Sequence, residues 1–319
     1  MSVRTLLSRS DGSDTAADLT TWHASKIHDD ELMWIDVQTP TDDERTLVAS
    51  ALELDADTLE ALSDDAARPD AHVLADGMLL TVRTLPEDMS QEPIALHILI
   101  GKGWLVTWHA DAIAFLDEHH ERIQDQREVG RLTPVLLLVA MLDWHLDTFY
   151  AAAEALERDV DELDDVALRG EGGDVLGQLV AARRRIARVR RLLSSHRDMY
   201  SEVSRPDFMP EIEPREAEAL GALTHRLERA TAEVANAREM LIGTFDVHMT
   251  RTAQRTNDII RLLTWVSVTL LPAAVLAGVM GMNFQVGFFQ NAYLFWVIVA
   301  VMILFALTML VVARRRRLL

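Results

Sequence analysis

The apolar positions of this chain change their spacing as one reads along it, and each change marks a different kind of structure. Met33 to Val37, Met78 to Leu85, Ile94 to Ile100 and Trp104 to His109 are short apolar runs of strand length. After the first, Pro40-Thr41-Asp42-Asp43-Glu44 starts a helix, with Thr41 as its cap and acids in the first turn. Leu47, Leu52 and Leu54, then Leu59 and Leu62, predict two short amphipathic helices, which Arg68-Pro69-Asp70 breaks. Pro86 to Pro93 and Gly101-Lys102-Gly103 serve as turns, the second short enough for a hairpin. A further helix is expected from Asp111 to about Gln126. Met1 to Glu31 is polar and reads as a frayed arm. Residues 1–130 thus read as a small mixed α/β domain with a largely antiparallel sheet.

After Gly130 the pattern is helical. Thr133-Pro134 opens a helix that runs to about Leu168, far beyond the globular mean. Gly170 to Gly173 turns the chain, Val175 to about Met199 returns, and Arg205-Pro206 to Pro214 makes another break. No proline follows until Pro272. One helix is therefore expected from Glu216 through a stalk and onward, roughly 100 Å long at 1.5 Å per residue. No internal repeat is visible. The division is 1–130, 131–261 and 262–319.

The last segment has a third character. Leu262 to Met282 carries no formal charge over about twenty residues, enough to span a bilayer. Ala292 to Ala313 is a second such run, and Arg314 to Arg317 end it. The spans, about 262–282 and 292–313, are joined by a short uncharged connection. The reading is an α+β cytoplasmic domain, long stalk helices and two C-terminal transmembrane helices in contact with lipid.

Charge fixes the orientation. The net charge is −19, yet from Arg251 onward there are seven arginines and one acid, Asp258, so the first 250 residues carry −25. Such a body is a poor partner for nucleic acid and a plausible collector of cations. Arg251, Arg255 and Arg261 precede the first span and the arginine cluster follows the second. Both termini are therefore expected in the cytoplasm of a cell whose inner membrane holds the hairpin. With no cysteine there is no thiolate metal site and no disulfide framework. The N-terminus lacks the apolar core of a signal peptide.

On a helical wheel Ile260, Leu263, Ser267, Leu271, Ala274 and Gly278 form one stripe of the first span, with Asn257 at its inner edge. Small or polar positions alternate with bulky ones, while Trp265 and Leu276 point roughly opposite. Around a common axis the small positions leave room for water, and the bulky ones form rings that close by dewetting. One helix cannot enclose a hole, so this reading needs an oligomer. Small residues at intervals of four, Ala273, Ala277 and Gly281 among them, equally suit close helix packing.

Gly281-Met282-Asn283 closes the first span. This tripeptide, at the outer end of the first of two C-terminal spans after a large acidic domain, resembles the CorA metal-ion transporters. Trp34-Ile35-Asp36, Arg68-Pro69 and Leu79-Leu80-Thr81-Val82-Arg83 look most like their ZntB-type zinc branch. The resemblance implies a homopentamer whose asparagine ring, at Asn283, is the outer selectivity site, held by the turn at Gly281 and Met282. Amide oxygens suit a hydrated divalent ion that dehydrates reluctantly. The cargo so implied is Zn²⁺, taken up with or without protons, and Mg²⁺, Co²⁺ and Ni²⁺ stay open. Unlike many CorA members, the chain has no acidic residue from Phe284 to Asn291, and the glycine-rich loop of many ZntB-type members is missing.

Other candidate chemistry is thinner. None of the eleven histidines lies in a span. His119-His120 reads as a solvated helix face more readily than a metal site, and His248 and Asp258 are candidates for proton linkage. The acidic run Asp159 to Asp165 and the basic run Arg183 to Arg191 read first as partners across a hairpin, and otherwise as a cation-attracting tip opposed by a basic ring. No phosphate-binding glycine loop or catalytic triad is visible. Divalent-cation transport is the leading reading and an enzyme is not expected. The alternatives are a Mg²⁺/Co²⁺ channel and a membrane-tethered sensor or scaffold.

Overall fold

A computed structural model describes residues 3–9, 14–15, 17–28, 31–74, 77–86, 91–117, 132–169, 174–205, 208, 212–282 and 292–315. The chain divides into two compact units, Met1–Thr244 and Phe245–Leu319.

The first unit is built on a seven-stranded sheet of β1 (Val3–Arg9), β2 (Asp14–Thr15), β3 (Glu31–Gln38), β4 (Asp70–Leu74), β5 (Gly77–Arg83), β6 (Ala95–Gly101) and β7 (Trp104–His109). The spatial order is β2-β1-β3-β7-β6-β5-β4. Every neighbouring pair is antiparallel except β3 and β7, which run parallel with Met33 opposite Trp104. The sheet is mixed and largely antiparallel, as its sequence implies. In the tight β6–β7 connection Gly103 takes φ 83°, a conformation a side chain would resist.

Two differences from the sequence reading lie at the sheet's ends. The N-terminal arm is not frayed: β1 pairs with β3 along its whole length, from Val3 opposite Val37 to Arg9 opposite Glu31. Leu6 and Leu7 are buried on opposite faces, so two adjacent leucines hold the strand. The break at Arg68-Pro69-Asp70 is followed at once by β4, an edge strand whose Val73 is exposed.

Strand alternation sorts the core into two layers. Leu32, Trp34, Leu80, Val82, Leu96, Ile98 and Leu105 face one side; Met33, Ile35, Val37, Leu79, Leu99 and Val106 face the other. The second side is covered by α1 (Asp42–Leu52) and α2 (Ala56–Ala61) through Val48, Leu52 and Leu62. Thr41 caps α1 in a full capping box: its hydroxyl accepts from the Glu44 amide, and the Glu44 carboxylate accepts from the Thr41 amide.

The first side is covered by α3 (Pro134–Arg169), α4 (Val175–Ser195), α5 (Arg197–Val203) and the beginning of α6 (Pro214–Met280). Thr133 opens α3 by accepting from the Leu136 amide. Its buried stripe, including Leu138, Leu142, Phe149, Leu156 and Leu163, follows helical spacing over 36 residues. The return helix stops at Ser195, a turn earlier than expected, where His196 joins α4 to α5. The opposed charge runs do meet across this hairpin: Arg185 pairs with Asp159 at 2.7 Å. The helix expected from Asp111 lies mostly outside the described residues, as do His119 and His120.

The second unit holds the rest of α6, which runs 67 residues without interruption and contains Pro272, and α7 (Ala292–Arg315). By length and composition α3 and α6 could each cross a membrane. They differ in burial: the apolar side chains of α3 form the core, whereas none in the apolar stretch of α6 is buried.

Candidate functional site

The stripe expected on the first span lies along the outer half of α6. Asn257, Ile260, Leu263, Ser267, Leu271, Ala274 and Gly278 are all exposed in the single chain, Leu263 by 64% and Leu271 by 67%. The cover that exists is on the opposite side. Trp265, Thr269 and Ala273, four residues apart, are half-buried, and each lies about 200° around the helix from a stripe position. On α7, Ile298, Met302, Phe305 and Met309 are half-buried at intervals of four, three and four. Each apolar helix therefore has one sheltered face, and the stripe is not on it.

Two threonine hydroxyls in this segment are satisfied within the helix. Thr264 donates to the Ile260 carbonyl and Thr269 to the Trp265 carbonyl, both at 2.8 Å. That removes the main cost of placing a hydroxyl in hydrocarbon. At the C-terminal end the Gly281 amide bonds the Ala277 carbonyl at 2.9 Å and the Met282 amide reaches the Val279 carbonyl at 3.3 Å. A Cβ on Gly281 would lie 3.3 Å from that Ala277 oxygen, so glycine lets the last turn close tightly. At Gly278 a Cβ would meet nothing within 4 Å. Gly281 and Met282 end the described part of the helix; Asn283, the residue on which the selectivity reading rests, lies outside the described residues.

N-terminal to the stripe, α6 carries a half-buried His248 and an exposed Asp258. Among the described residues no group of three or more His, Cys, Asp or Glu side chains could hold a metal ion.

Several buried ionisable groups of the first unit form two networks that sequence reading missed. In one, the Asp36 carboxylate is 1% exposed and accepts from Thr107 at 2.5 Å, His109 Nε2 at 3.0 Å and Arg4 at 2.6 Å. Burial alone would raise its pKa; the bond and charge of His109, with the bonds from Thr107 and Arg4, outweigh that and hold it below the ordinary carboxylate value. In the other, His145, His196 and Tyr200 are buried around the backbone of Arg83. Burial pushes His145 down to about 4, and burial with the neighbouring His145 pushes His196 well below the ordinary histidine value. Neither network opens on a site: both tie the sheet to its surroundings.

Residues 29–315 match the family described as CorA-like Mg²⁺ transporter protein. The chain belongs to that family. CorA-family proteins are membrane transporters of divalent cations, not enzymes. The cobalt/magnesium transport protein CorA of Methanocaldococcus jannaschii is 23% identical over 297 residues, covering 91% of this chain and 92% of that protein. The complete structure of the CorA magnesium transporter from the same organism superposes with a TM-score of 0.81 at 22% identity, over 98% of this chain and 97% of the other. The ZntB cytoplasmic domain from Vibrio parahaemolyticus shares the fold more distantly, with a TM-score of 0.56 at 15% identity, over 77% of this chain and 99% of that domain. The CorA architecture thus covers sheet, stalk and apolar helices together.

The signal for the missed networks was weak. Asp36 sits in an apolar strand run and Arg83 ends another, so each announced itself only as a polar residue in a buried place. Their partners lie 73 and 113 residues away in sequence.

Proposed function

We propose that several copies of this chain, five as the family resemblance implies, surround a pore walled by α6 and conduct hydrated divalent cations across the inner membrane. The observation that carries the proposal is the division of α6 into faces. Its small/bulky stripe from Asn257 to Gly278 is exposed in the single chain, while the sheltered side is the opposite one. An apolar, unpaired stripe at the end of a stalk calls for neighbours, and copies around an axis supply them. The stalk adds support: Met240, Ile242, Phe245, Val247 and Met249 are exposed apolar side chains on successive turns of the same helix. In this arrangement residues 1–130 and 131–261 form the cytoplasmic body, 262–319 the transmembrane hairpin, and both termini face the cytoplasm. Asn283 binds the hydrated ion at the outer mouth, with Gly281 and Met282 shaping the turn beneath it.

Mg²⁺ or Co²⁺ is the first cargo, because the relative matched along nearly its whole length bears those ions in its name. Zn²⁺ uptake, with or without a coupled proton, is the second. It is favoured by Trp34-Ile35-Asp36, Leu79 to Arg83 and the fold shared with the ZntB cytoplasmic domain.

The test is flux into liposomes loaded with magnesium-, zinc- or proton-sensitive dye, for the wild type and Asn283→Ala. Magnesium or cobalt influx lost in the variant supports the first reading. Zinc influx with acidification supports the second. No flux of any ion from a stable oligomer sinks transport and leaves the tethered sensor.

A further inference from the structure

The outer face of α4 carries charge that the fold does not use. Its buried side is Val175, Leu179, Ala182, Ile186, Val189 and Leu193. Arg184, Arg188 and Arg191 fall opposite, exposed, and spaced four and three apart, an arrangement in which like charges oppose the helix. Elsewhere in the first unit arginines find acids: Arg158 pairs with Glu154, Arg169 with Asp165, Arg185 with Asp159, and Arg226 with Asp143. Among the described residues Arg188 and Arg191 have neither an ion pair nor a hydrogen bond, although the body around them is strongly acidic.

These two arginines also line a cleft of about 420 Å³ between α4 and the connection from β5 to β6. Leu85, Pro86 and Pro93 from the connection and Leu192 from the helix give it an apolar part, and Gln91 and Ser195 add neutral polar groups. Two guanidinium groups without an ion-pair partner among the described residues, beside apolar side chains, match an anion with an apolar part, and the volume lies in the range of small-molecule sites. One acid, Glu92, shares the lining. It argues against a bare anion and in favour of one that carries a divalent cation, which a single carboxylate plus phosphate oxygens can hold.

We propose that this cleft binds a nucleoside polyphosphate with its divalent cation. The phosphates sit on Arg188 and Arg191, the base lies against Leu85, Pro86 and Pro93, and the metal faces Glu92. Salt screens the more distant acids beyond a Debye length of about 8 Å at physiological ionic strength, so the charges in contact with the phosphates decide binding. The proposal concerns a site on the first unit and does not depend on transport.

Isothermal titration of the full-length protein in detergent tests it, with ATP plus Mg²⁺, ATP with chelator, and pyrophosphate plus Mg²⁺ as probes. The expected result is binding of ATP plus Mg²⁺, weakened tenfold or more by the double variant Arg188→Gln/Arg191→Gln and by Ser195→Glu, which puts a carboxylate on the cleft's exposed rim. Glu92→Gln should remove the advantage of Mg²⁺. A surface control, Arg158→Gln, should leave binding unchanged. No heat at millimolar ATP, or equal affinity in the two cleft variants, overturns the site. Pyrophosphate binding as tightly as ATP overturns the nucleoside assignment.

Discussion

His145 and His196 lie with ring centroids 4.6 Å apart and bond opposite ends of one peptide residue, Arg83. His196 Nε2 accepts from the Arg83 amide at 2.9 Å, and His145 Nε2 donates to the Arg83 carbonyl at 3.1 Å. His196 Nδ1 in turn donates to the Leu192 carbonyl at 2.7 Å, so its neutral form has every partner it needs. A strand end is thereby fastened to α3 and α4 by two imidazoles.

That fastening makes stability depend on pH. Both histidines have pKa values lowered by burial, His145 to about 4 against an ordinary 6.5. The unfolded chain therefore takes up protons near 6.5 while the folded chain does not. The contribution of His145 is complete above about 6.5 and lost as pH falls toward about 4, at about 1.4 kcal/mol per pH unit, and that of His196 falls in the same direction. Thermal melting of the full-length protein between pH 7.5 and 4.5 should show a falling Tm. In His196→Gln the starting Tm should be lower and the slope shallower. An unchanged slope would remove the pair as its cause.

Tyr200 completes the cluster. Its hydroxyl lies 2.9 Å from His145 Nδ1 and 3.0 Å from the Leu142 carbonyl, and burial raises its pKa well above the ordinary value. Tyr200→Phe keeps the ring and removes the hydroxyl, leaving the Leu142 carbonyl and His145 Nδ1 without that partner. A loss of about 1–2 kcal/mol in urea unfolding is expected.

Asp36, on the same face of the sheet, anchors β3, with Arg4, Thr107 and His109 all directed at its two oxygens. Asp36→Ala strands these donors and should cost about 3 kcal/mol, seen as a lower urea midpoint. The wild-type contribution is present above the ordinary carboxylate value and disappears as pH falls below it, so it lies under the histidine window.

The pore reading separates the faces of α6. A side chain at Gly278 meets nothing in the single chain, so Gly278→Leu should leave the helical circular dichroism unchanged. In the assembled protein it should reduce ion flux at least tenfold, because a bulky ring replaces a small one. Leu276→Ala, on the other side of the helix, should reduce flux far less. Equal effects at both positions would count against the stripe.

The long helices were legible because apolar spacing alone determines them, and the capping box at Thr41 and Glu44 fixes the start of α1 locally. β1 was not, since Leu6-Leu7 is too short a run to announce a strand without β3 beside it. β4 was hidden for the same reason: Asp70-Ala71-His72-Val73-Leu74 is an edge, and only its pairing with β5 gives it away. The stripe on α6 was readable from periodicity, and its exposure follows from the single chain. The clusters at Arg83 and Asp36 join residues that no local pattern connects.

The parallel contact between β3 and β7 has a consequence for how the chain is made. β4 to β7 form a meander whose strands are near neighbours in sequence, whereas β3 waits for a partner about seventy residues further on, a costlier loop to close. On the ribosome the β1–β3 pair is synthesised first and can join the sheet only after the meander exists. Until then Met33, Ile35 and Val37 offer a sticky edge to other nascent chains, and this interval is where a chaperone would be needed most.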